Sequence, residues 1–340
     1  MNNIRSQLNE FCAEISTDRT YVQGAGGNVS FKKDKYIFVK ASGTRLSDAL
    51  KTDLFVKLNL DDLNKQFNKN NFVIDNVVKK NKLRPSIETV FHAILTHKVV
   101  VHLHAIDALS ILIKKSCEKT IKKIIKDELT YLFIDYVKPG TQLGLEIYKK
   151  DIDAKKPIII FLKNHGIIIA SDTVDSIRSN FLKLKNLLIN DKKIVRKLNN
   201  EISVKSLKKF KIFNTYYVPF KKKDIHNLAL NNYLSQFVKN KWALYPDHIV
   251  FLGHKAFFYN DRKEFESKIK NDNHPNVIFI KNEGVYAKNK VLISTEEQLL
   301  CYYDLVKQLD YDCDLNLLND DEINELINWD AEKYRIKKAI

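Results

Sequence analysis

The most constraining feature of this sequence is a set of β-branched apolar runs that alternate with amphipathic segments. Val99 to Ala105 is dense in valine, and Lys156 to Leu162 and Gly166 to Ala170 are rich in isoleucine. Runs of this length and composition predict strands buried in a core. Asp172 to Leu188 instead has the apolar spacing of a long helix. Because strands and helices mix along the chain, we predict an α/β or α+β class.

The length of the chain predicts two lobes. Single hydrophobic cores rarely grow beyond about 250–300 residues, and this chain has 340. We place a catalytic lobe at residues 1–200 and a C-terminal α/β lobe at 201–340. The segments 157–166 and 275–284 both read as a strand followed by a Lys-Asn-x-Gly turn, which predicts a degenerate duplication or a convergent turn. The second copy has Glu283 in place of His165, so we expect it to lack metal ligands.

The positive charge favours a small anionic substrate over nucleic acid. The formal net charge is +16, but only 8 of the 57 basic residues are Arg, the preferred bidentate reader of phosphate and guanine. A positively charged protein also attracts an anionic small molecule toward its binding site, so the net charge fits such a substrate equally well. No apolar run reaches the roughly 18–20 residues that a membrane span needs, and no secretory signal is visible. The four cysteines are scattered, which is typical of the reducing cytosol, so we predict a cytoplasmic protein. From the low share of Arg and the short apolar runs, we expect it to bind neither nucleic acid nor membrane.

Three histidines form the sharpest candidate site. His102 and His104 lie two residues apart in a predicted strand, so both side chains point to the same face. His165 lies on the turn between two apolar strands. Three neutral imidazoles would bind Zn²⁺ or another divalent cation and leave a coordination position open for a substrate. The alternatives are a polar pair at a strand end and an ordinary turn histidine.

Glu88 and two turns complete the candidate site. Glu88 follows a predicted helix start, where it is either an acid/base group or an ordinary first-turn carboxylate. The glycine-rich segment 24–30 and the Ser42-Gly43-Thr44 turn are able to hold an anion through backbone N–H groups, or are plain turns. Neither turn has the sequence of a P-loop or of a dinucleotide fingerprint.

In this order, the motifs resemble the class II aldolase/adducin family over about residues 3–190. The resemblance rests on short segments: Gly27 to Ser30, Ser42 to Thr44, Pro85 to Glu88, His102 to Ala105 and Asn164 to Gly166. It implies a three-layer α/β/α fold with a central, mainly antiparallel sheet. It also implies roles for single residues: a zinc site of His102, His104 and His165, Glu88 as proton carrier, Tyr136 (or Tyr131) as donor to the leaving aldehyde, and Asn28, Ser42, Gly43 and Ser86 as ligands of the substrate's phosphate or enolate oxygens.

One position departs from the sugar-phosphate aldolases of the family. Ile87 stands where these enzymes usually carry a second serine. Within the family, the chain is similar to the aldolase half of bifunctional rhamnulose-phosphate aldolase/dehydrogenases. Residues 135–144, 245–248 and 329–335 carry that finer likeness.

The resemblance implies a zinc-dependent lyase that cleaves or forms a C–C bond of a phosphorylated or nucleotide-linked sugar through a metal-bound enediolate. The same site would also serve an epimerase, a dehydratase or a decarboxylase, and Ile87 keeps those reactions open. A second alternative is a non-catalytic, adducin-like binding module. The family also leads us to expect a homo-oligomer, a tetramer or a dimer.

Overall fold

The chain divides into two compact units in the computed structural model. The structure describes residues 4–69, 71–72, 83–150, 152–153, 156–191, 207–269 and 274–338. The first unit comprises Met1–Lys192 and Trp329–Ala339, and the second comprises Lys193–Asn328 with Ile340. The boundary expected at 200/201 lies outside the described residues. The segment after Asn328 groups with the first unit, which differs from the expected bounds of the second lobe.

The first unit is built around seven strands. In chain order they are β1 (Asn28–Lys33), β2 (Tyr36–Lys40), β3 (Phe55–Asn59), β4 (Val99–Leu103), β5 (Tyr131–Ile134), β6 (Ile158–Leu162) and β7 (Gly166–Ser171). They form one sheet in the order β3-β2-β1-β4-β7-β6-β5. Every neighbouring pair is antiparallel except β5 with β6. The expected central, mainly antiparallel sheet is therefore confirmed.

Helices cover both faces of this sheet. They are α1 (Ile4–Ile15), α2 (Leu60–Phe67), α3 (Thr89–Ile94), α4 (Ile106–Leu112), α5 (Cys117–Ile125), α6 (Thr141–Tyr148) and α7 (Val174–Asp191). A further helix, α14 (Asp330–Lys338), also groups with the first unit. Successive residues of a strand point to opposite faces. Val101 of β4 accordingly belongs to the apolar cluster that includes residues of α1, α4, α5 and α7, whereas Val100 belongs to the cluster that includes residues of α3 and α6. The arrangement is the expected three-layer α/β/α fold.

The second unit has a smaller sheet of its own. Its strands are β8 (Phe210–Ile212), β9 (Thr215–Pro219), β10 (Phe258–Tyr259), β11 (Val277–Ile280) and β12 (Gly284–Lys288). Its helices are α8 (Lys223–Leu230), α9 (Asn232–Asn240), α10 (Pro246–Leu252), α11 (Arg262–Lys268), α12 (Ile293–Val306) and α13 (Asp320–Ile327). Among the described residues of both units, no helix is long and apolar enough to span a membrane.

The second sheet repeats the topology of five strands of the first. Its order is β10-β11-β12-β9-β8, with only β10 and β11 parallel. This matches β5-β6-β7-β4-β1 in chain order and in the sense of every pair. The turns before β7 and β12 also agree, since Asn164 and Asn282 both have positive φ, 54° and 57°. The shared topology favours the predicted duplication, which stays a prediction.

Strand register gives the residues that replace the histidines in the second unit. Alignment of Gly284 with Gly166 places Pro219 at the position of His102, because Pro219 pairs with Tyr286 as His102 pairs with Ile168. Two residues further on, Lys221 takes the position of His104. Glu283 takes the position of His165 and forms an ion pair with Arg262. Two of the three replacements cannot ligate a metal, and the carboxylate already has a cationic partner.

Candidate metal centre

Three imidazoles from two parts of the first unit meet in its interior. His102 is in β4, His104 follows β4, and His165 lies on the turn between β6 and β7. Their potential ligand nitrogens all lie within 4.8 Å of one another, and His102 Nε2 is 3.0 Å from His104 Nε2. All three side chains are buried. The histidines predicted from the sequence to converge are therefore brought together.

Two glycines let the backbone close around this cluster. A Cβ atom at Gly166 would lie 2.4 Å from the carbonyl oxygen of Leu103, the residue between His102 and His104. A Cβ atom at Gly27, where φ is +64°, would lie 2.9 Å from the carbonyl oxygen of His102. Both distances are shorter than a Cβ atom tolerates. Only glycine at positions 27 and 166 therefore allows the backbone to approach His102 and Leu103 this closely.

The state of His102 suits a metal ligand. Its Nδ1 donates to the carbonyl oxygen of Ile167 at 2.9 Å, which leaves the lone pair of Nε2 directed at the cluster. Burial first, and then His165 and His104, hold the pKa of His102 well below its usual range. A neutral imidazole with its second nitrogen anchored to a carbonyl is the usual form of a zinc-binding histidine. The residues present therefore fit a divalent ion of the zinc type.

Glu88 lies beside the histidines. It immediately precedes α3, and its side chain is buried. Its Oε2 is 3.5 Å from His102 Nε2 and its Oε1 is 3.5 Å from His165 Nε2. The Nδ2 of Asn28 donates to Oε2 at 2.7 Å. The carboxylate that the sequence proposed as acid/base group is thus within reach of a substrate bound at the cluster.

The predicted substrate-binding turns lie side by side. Ser42 N donates to the carbonyl oxygen of Arg84 at 2.8 Å, and Ser86 N donates to that of Lys40 at 3.0 Å. Ser86 Oγ accepts from Glu88 N at 3.3 Å, so this serine also supports the start of α3. Gly43 has φ of +79°, which favours glycine in the turn. The backbone therefore brings the Ser42-Gly43 turn next to the segment that carries Glu88.

Tyr136 lies in the half-buried segment that follows β5. Further along this segment, a Cβ atom at Gly140 would be 3.2 Å from the carbonyl oxygen of Ile87. The segment therefore approaches the residue before Glu88. The role of Tyr136 as proton donor stays a prediction, as do the substrate contacts of Asn28, Ser42, Gly43 and Ser86.

The sequence interpretation missed His92. This residue is fully buried and contacts both Asn28 and Ser30. It lies four residues after Glu88, one helical turn away, and that spacing was the only signal that could have identified it.

A buried cluster of three imidazoles and one carboxylate, held in a three-layer α/β/α unit, defines a candidate metal-dependent enzyme site. A family model, the class II aldolase and adducin N-terminal domain, matches residues 6–189. The chain belongs to this family.

Three proteins illustrate what the chain is similar to. An L-fuculose phosphate aldolase of Methanocaldococcus jannaschii is 27% identical over 183 residues, which cover 51% of this chain and 87% of that protein. The uncharacterized oxidoreductase YuxG of Bacillus subtilis is 28% identical over 181 residues, 48% of this chain, and the match spans only 26% of the relative. Among solved structures, the N-terminal class II aldolase domain of a conserved protein from Thermoplasma acidophilum has 25% identity and a TM-score of 0.48, with 56% of this chain and 94% of that chain covered.

Proposed function

We propose that this chain is a zinc-dependent lyase of the class II aldolase type, which cleaves or forms a C–C bond of a phosphorylated or nucleotide-linked sugar. One observation carries the proposal. Three buried imidazoles converge, and a buried carboxylate lies 3.5 Å from two of them. The sugar-phosphate aldolases among the relatives, such as the M. jannaschii protein, support the substrate class.

The histidines would hold the ion, and Glu88 would move the proton. A zinc ion bound there supplies Lewis-acid polarisation of a substrate carbonyl. Glu88 Oε1 would take a proton from the substrate's hydroxyl or α-carbon, since this buried oxygen lies 3.5 Å from His165 Nε2, beside the proposed position of the ion. Asn28 Nδ2 would hold the other carboxylate oxygen and so fix the plane of the carboxyl group. Burial of the cluster would exclude bulk water during the reaction.

The second candidate keeps the site and changes the reaction to epimerisation, dehydration or decarboxylation. Ile87 favours it, because this position lacks the hydroxyl that the resemblance leads us to expect next to Ser86. The C–C bond cleavage of an aldolase yields two carbon fragments, whereas an epimerase yields one rearranged sugar. NMR analysis of products formed in D₂O from a panel of sugar phosphates and nucleotide sugars separates the two.

Metal content tests the ligand set directly. We expect purified wild-type protein to contain about one divalent ion per chain, and His102→Ala or His165→Ala to contain far less, as measured by inductively coupled plasma mass spectrometry. The matched control is His254→Ala, since His254 is an exposed histidine of the second unit. Wild-type protein without a stoichiometric ion, or a His102→Ala variant with unchanged metal content, would refute the proposal.

Glu88→Gln separates binding from catalysis. The substitution keeps the shape of the side chain but removes the carboxylate, so we expect turnover to fall by about 10²–10⁴-fold, the usual contribution of a general acid or base. Metal content should stay close to one ion per chain. Turnover within a few fold of wild type would show that Glu88 is not the proton carrier.

The assembly and the location of the protein complete the proposal. We propose a homo-oligomer, a tetramer or a dimer, located in the cytoplasm. Light scattering of the purified protein measures the number of subunits. A non-catalytic, adducin-like role would be favoured if metal were bound and no sugar phosphate were turned over.

A further inference from the structure

A line of buried hydrogen bonds connects the interior of the first unit with Glu88. Ser30 Oγ lies 2.8 Å from Nδ1 of His92. On its other side, Nε2 of His92 contacts Oδ1 of Asn28. Asn28 then donates from Nδ2 to Oε2 of Glu88 at 2.7 Å. Four side chains thus form one continuous series that ends on the carboxylate.

The chemistry of each group fixes the direction of this series. A carboxylate is only an acceptor, so the NH₂ group of Asn28 faces Glu88 and its carbonyl oxygen faces His92. That oxygen also only accepts, which places the imidazole proton of His92 on Nε2. Nδ1 of the neutral ring is then the acceptor for the hydroxyl of Ser30. Every donor in the series therefore points toward Glu88.

Burial makes the series a rigid one. Ser30 is 1% exposed, His92 0% and Asn28 6%, so water does not compete for these bonds. Burial first, and then the charge of Lys32, hold the pKa of His92 well below its usual range, which agrees with a neutral ring. The side chain of Lys32 is itself fixed, because its Nζ donates to the carbonyl oxygens of Leu95 and His97.

We propose that His92 is a positioning residue that, through Asn28, holds Glu88 in its reactive orientation. Without a donor at His92 Nε2, the amide of Asn28 loses the bond that fixes its carbonyl end and is held only by the carboxylate that it positions. The amide and the carboxylate are then free to turn together away from the histidine cluster. The inference rests on the proposed function of Glu88 as proton carrier and assigns a role to a residue outside the metal ligands.

Two similar substitutions separate positioning from packing. In His92→Gln, the amide nitrogen falls near the place of the imidazole Nε2 and keeps a donor for Asn28. In His92→Asn, the shorter amide reaches only the place of Nδ1, which keeps a partner for Ser30 and loses the donor for Asn28. We expect the Asn variant to lose about 10–100-fold in kcat, as is typical when an outer-shell partner is removed, and the Gln variant to recover most of it.

A double-mutant cycle provides a second readout. Asn28→Leu removes the other hydrogen-bonding side chain between His92 and Glu88 and has a similar volume. If the two residues act through each other, the loss in kcat of the double variant His92→Asn, Asn28→Leu should not exceed that of the worse single variant. The matched control is His97→Gln, because His97 is a buried histidine of the same unit whose ring Nε2 donates to the carbonyl oxygen of Lys156. Thermal unfolding of every variant separates loss of positioning from loss of the fold.

The outcomes are distinct. Equal turnover in the Gln and Asn variants, or additive losses in the double variant, overturns the proposal. ¹H–¹⁵N correlation spectra of histidine-labelled wild-type protein give an arm that needs no activity: a proton on Nε2 of His92 supports the series, and one on Nδ1 overturns it. Wild-type protein without metal or turnover would refute the proposed function, whereas the tautomer would still decide whether the series exists.

Discussion

His248 gives the second unit a sensitivity to acid that can be calculated. The ring is fully buried, 4.1 Å from the ring of Trp242, and neither ring nitrogen has a hydrogen-bond partner among the described residues. Burial lowers the pKa of His248 from 6.5 to about 3. The unfolded chain therefore binds a proton at this residue below about pH 6.5, while the folded chain remains neutral. By linkage, the free energy of unfolding falls as the pH falls through this window.

The size of the effect follows from the two pKa values. Each pH unit between them is worth about 1.4 kcal/mol, so this residue alone should cost about 2 kcal/mol of stability between pH 7.5 and pH 5. His248→Phe removes the titrating group at similar volume and should remove that loss. Urea unfolding at both pH values, followed by the fluorescence of Trp242, measures the difference. The measurement is made in a Trp329→Phe background, since these are the only two tryptophans.

A matched control is His254→Phe, which makes the same substitution at an exposed histidine of the same unit. It should keep the acid-dependent loss in full. If the His248→Phe protein loses as much stability between pH 7.5 and pH 5 as its parent, the reasoning from burial is wrong.

Two further predictions concern packing and thiol chemistry. Gly144→Ala should destabilise the first unit by about 1–3 kcal/mol, because the new Cβ would lie 2.3 Å from a side-chain carbon of Val90; an unchanged urea midpoint would contradict the packing of α6 on α3. Burial raises the pKa of Cys12 and Cys301 to about 12, so a thiol reagent at pH 8 should label the half-buried Cys313 first. Peptide mapping by mass spectrometry checks this order, and early labelling of Cys12 would disprove it.

The strands and the metal ligands could be predicted because both signals are local. The continuous apolar runs around β4, β6 and β7 have no amphipathic alternative, and the structure places all three in the buried centre of the sheet. The spacing of His102 and His104 fixes a shared face wherever the strand forms. The prediction of His165 as a third ligand depended only on its position in the turn between two predicted strands.

Contacts between distant segments could not be predicted. The pairing of Asn28 with Glu88 depends on β1 lying next to β4, a choice that no local pattern encodes. The family resemblance implied a substrate contact for Asn28, which stays a prediction, and no local pattern indicated the hydrogen bond that its amide donates to Glu88. His92 was missed for the same reason, since its partners lie more than 60 residues away.

The grouping of residues 329–338 with the first unit also could not be predicted from the sequence. Residues 329–335 served only as a mark of family likeness, yet Trp329 lies against Gly140, whose added Cβ would come within 2.9 Å of the indole. The guanidinium of Arg84 stacks on Tyr334 at 4.5 Å, and Lys138 lies over Trp329 at 4.8 Å. These contacts join residues 329–335 to the segments around Arg84 and Gly140, and no periodic pattern in the sequence predicts them.

Because Trp329 groups with the first unit, the segment Lys193–Asn328 is inserted between two parts of one compact unit. A ribosome makes about 5–20 residues per second, so the part made first would wait on the order of ten seconds for residues 329–338. During that interval Gly140 has no indole beside it, and the loop after β5 lacks this contact. The contact of Trp329 with Gly140 would therefore form late in synthesis, after most of the residues around the candidate site are in place.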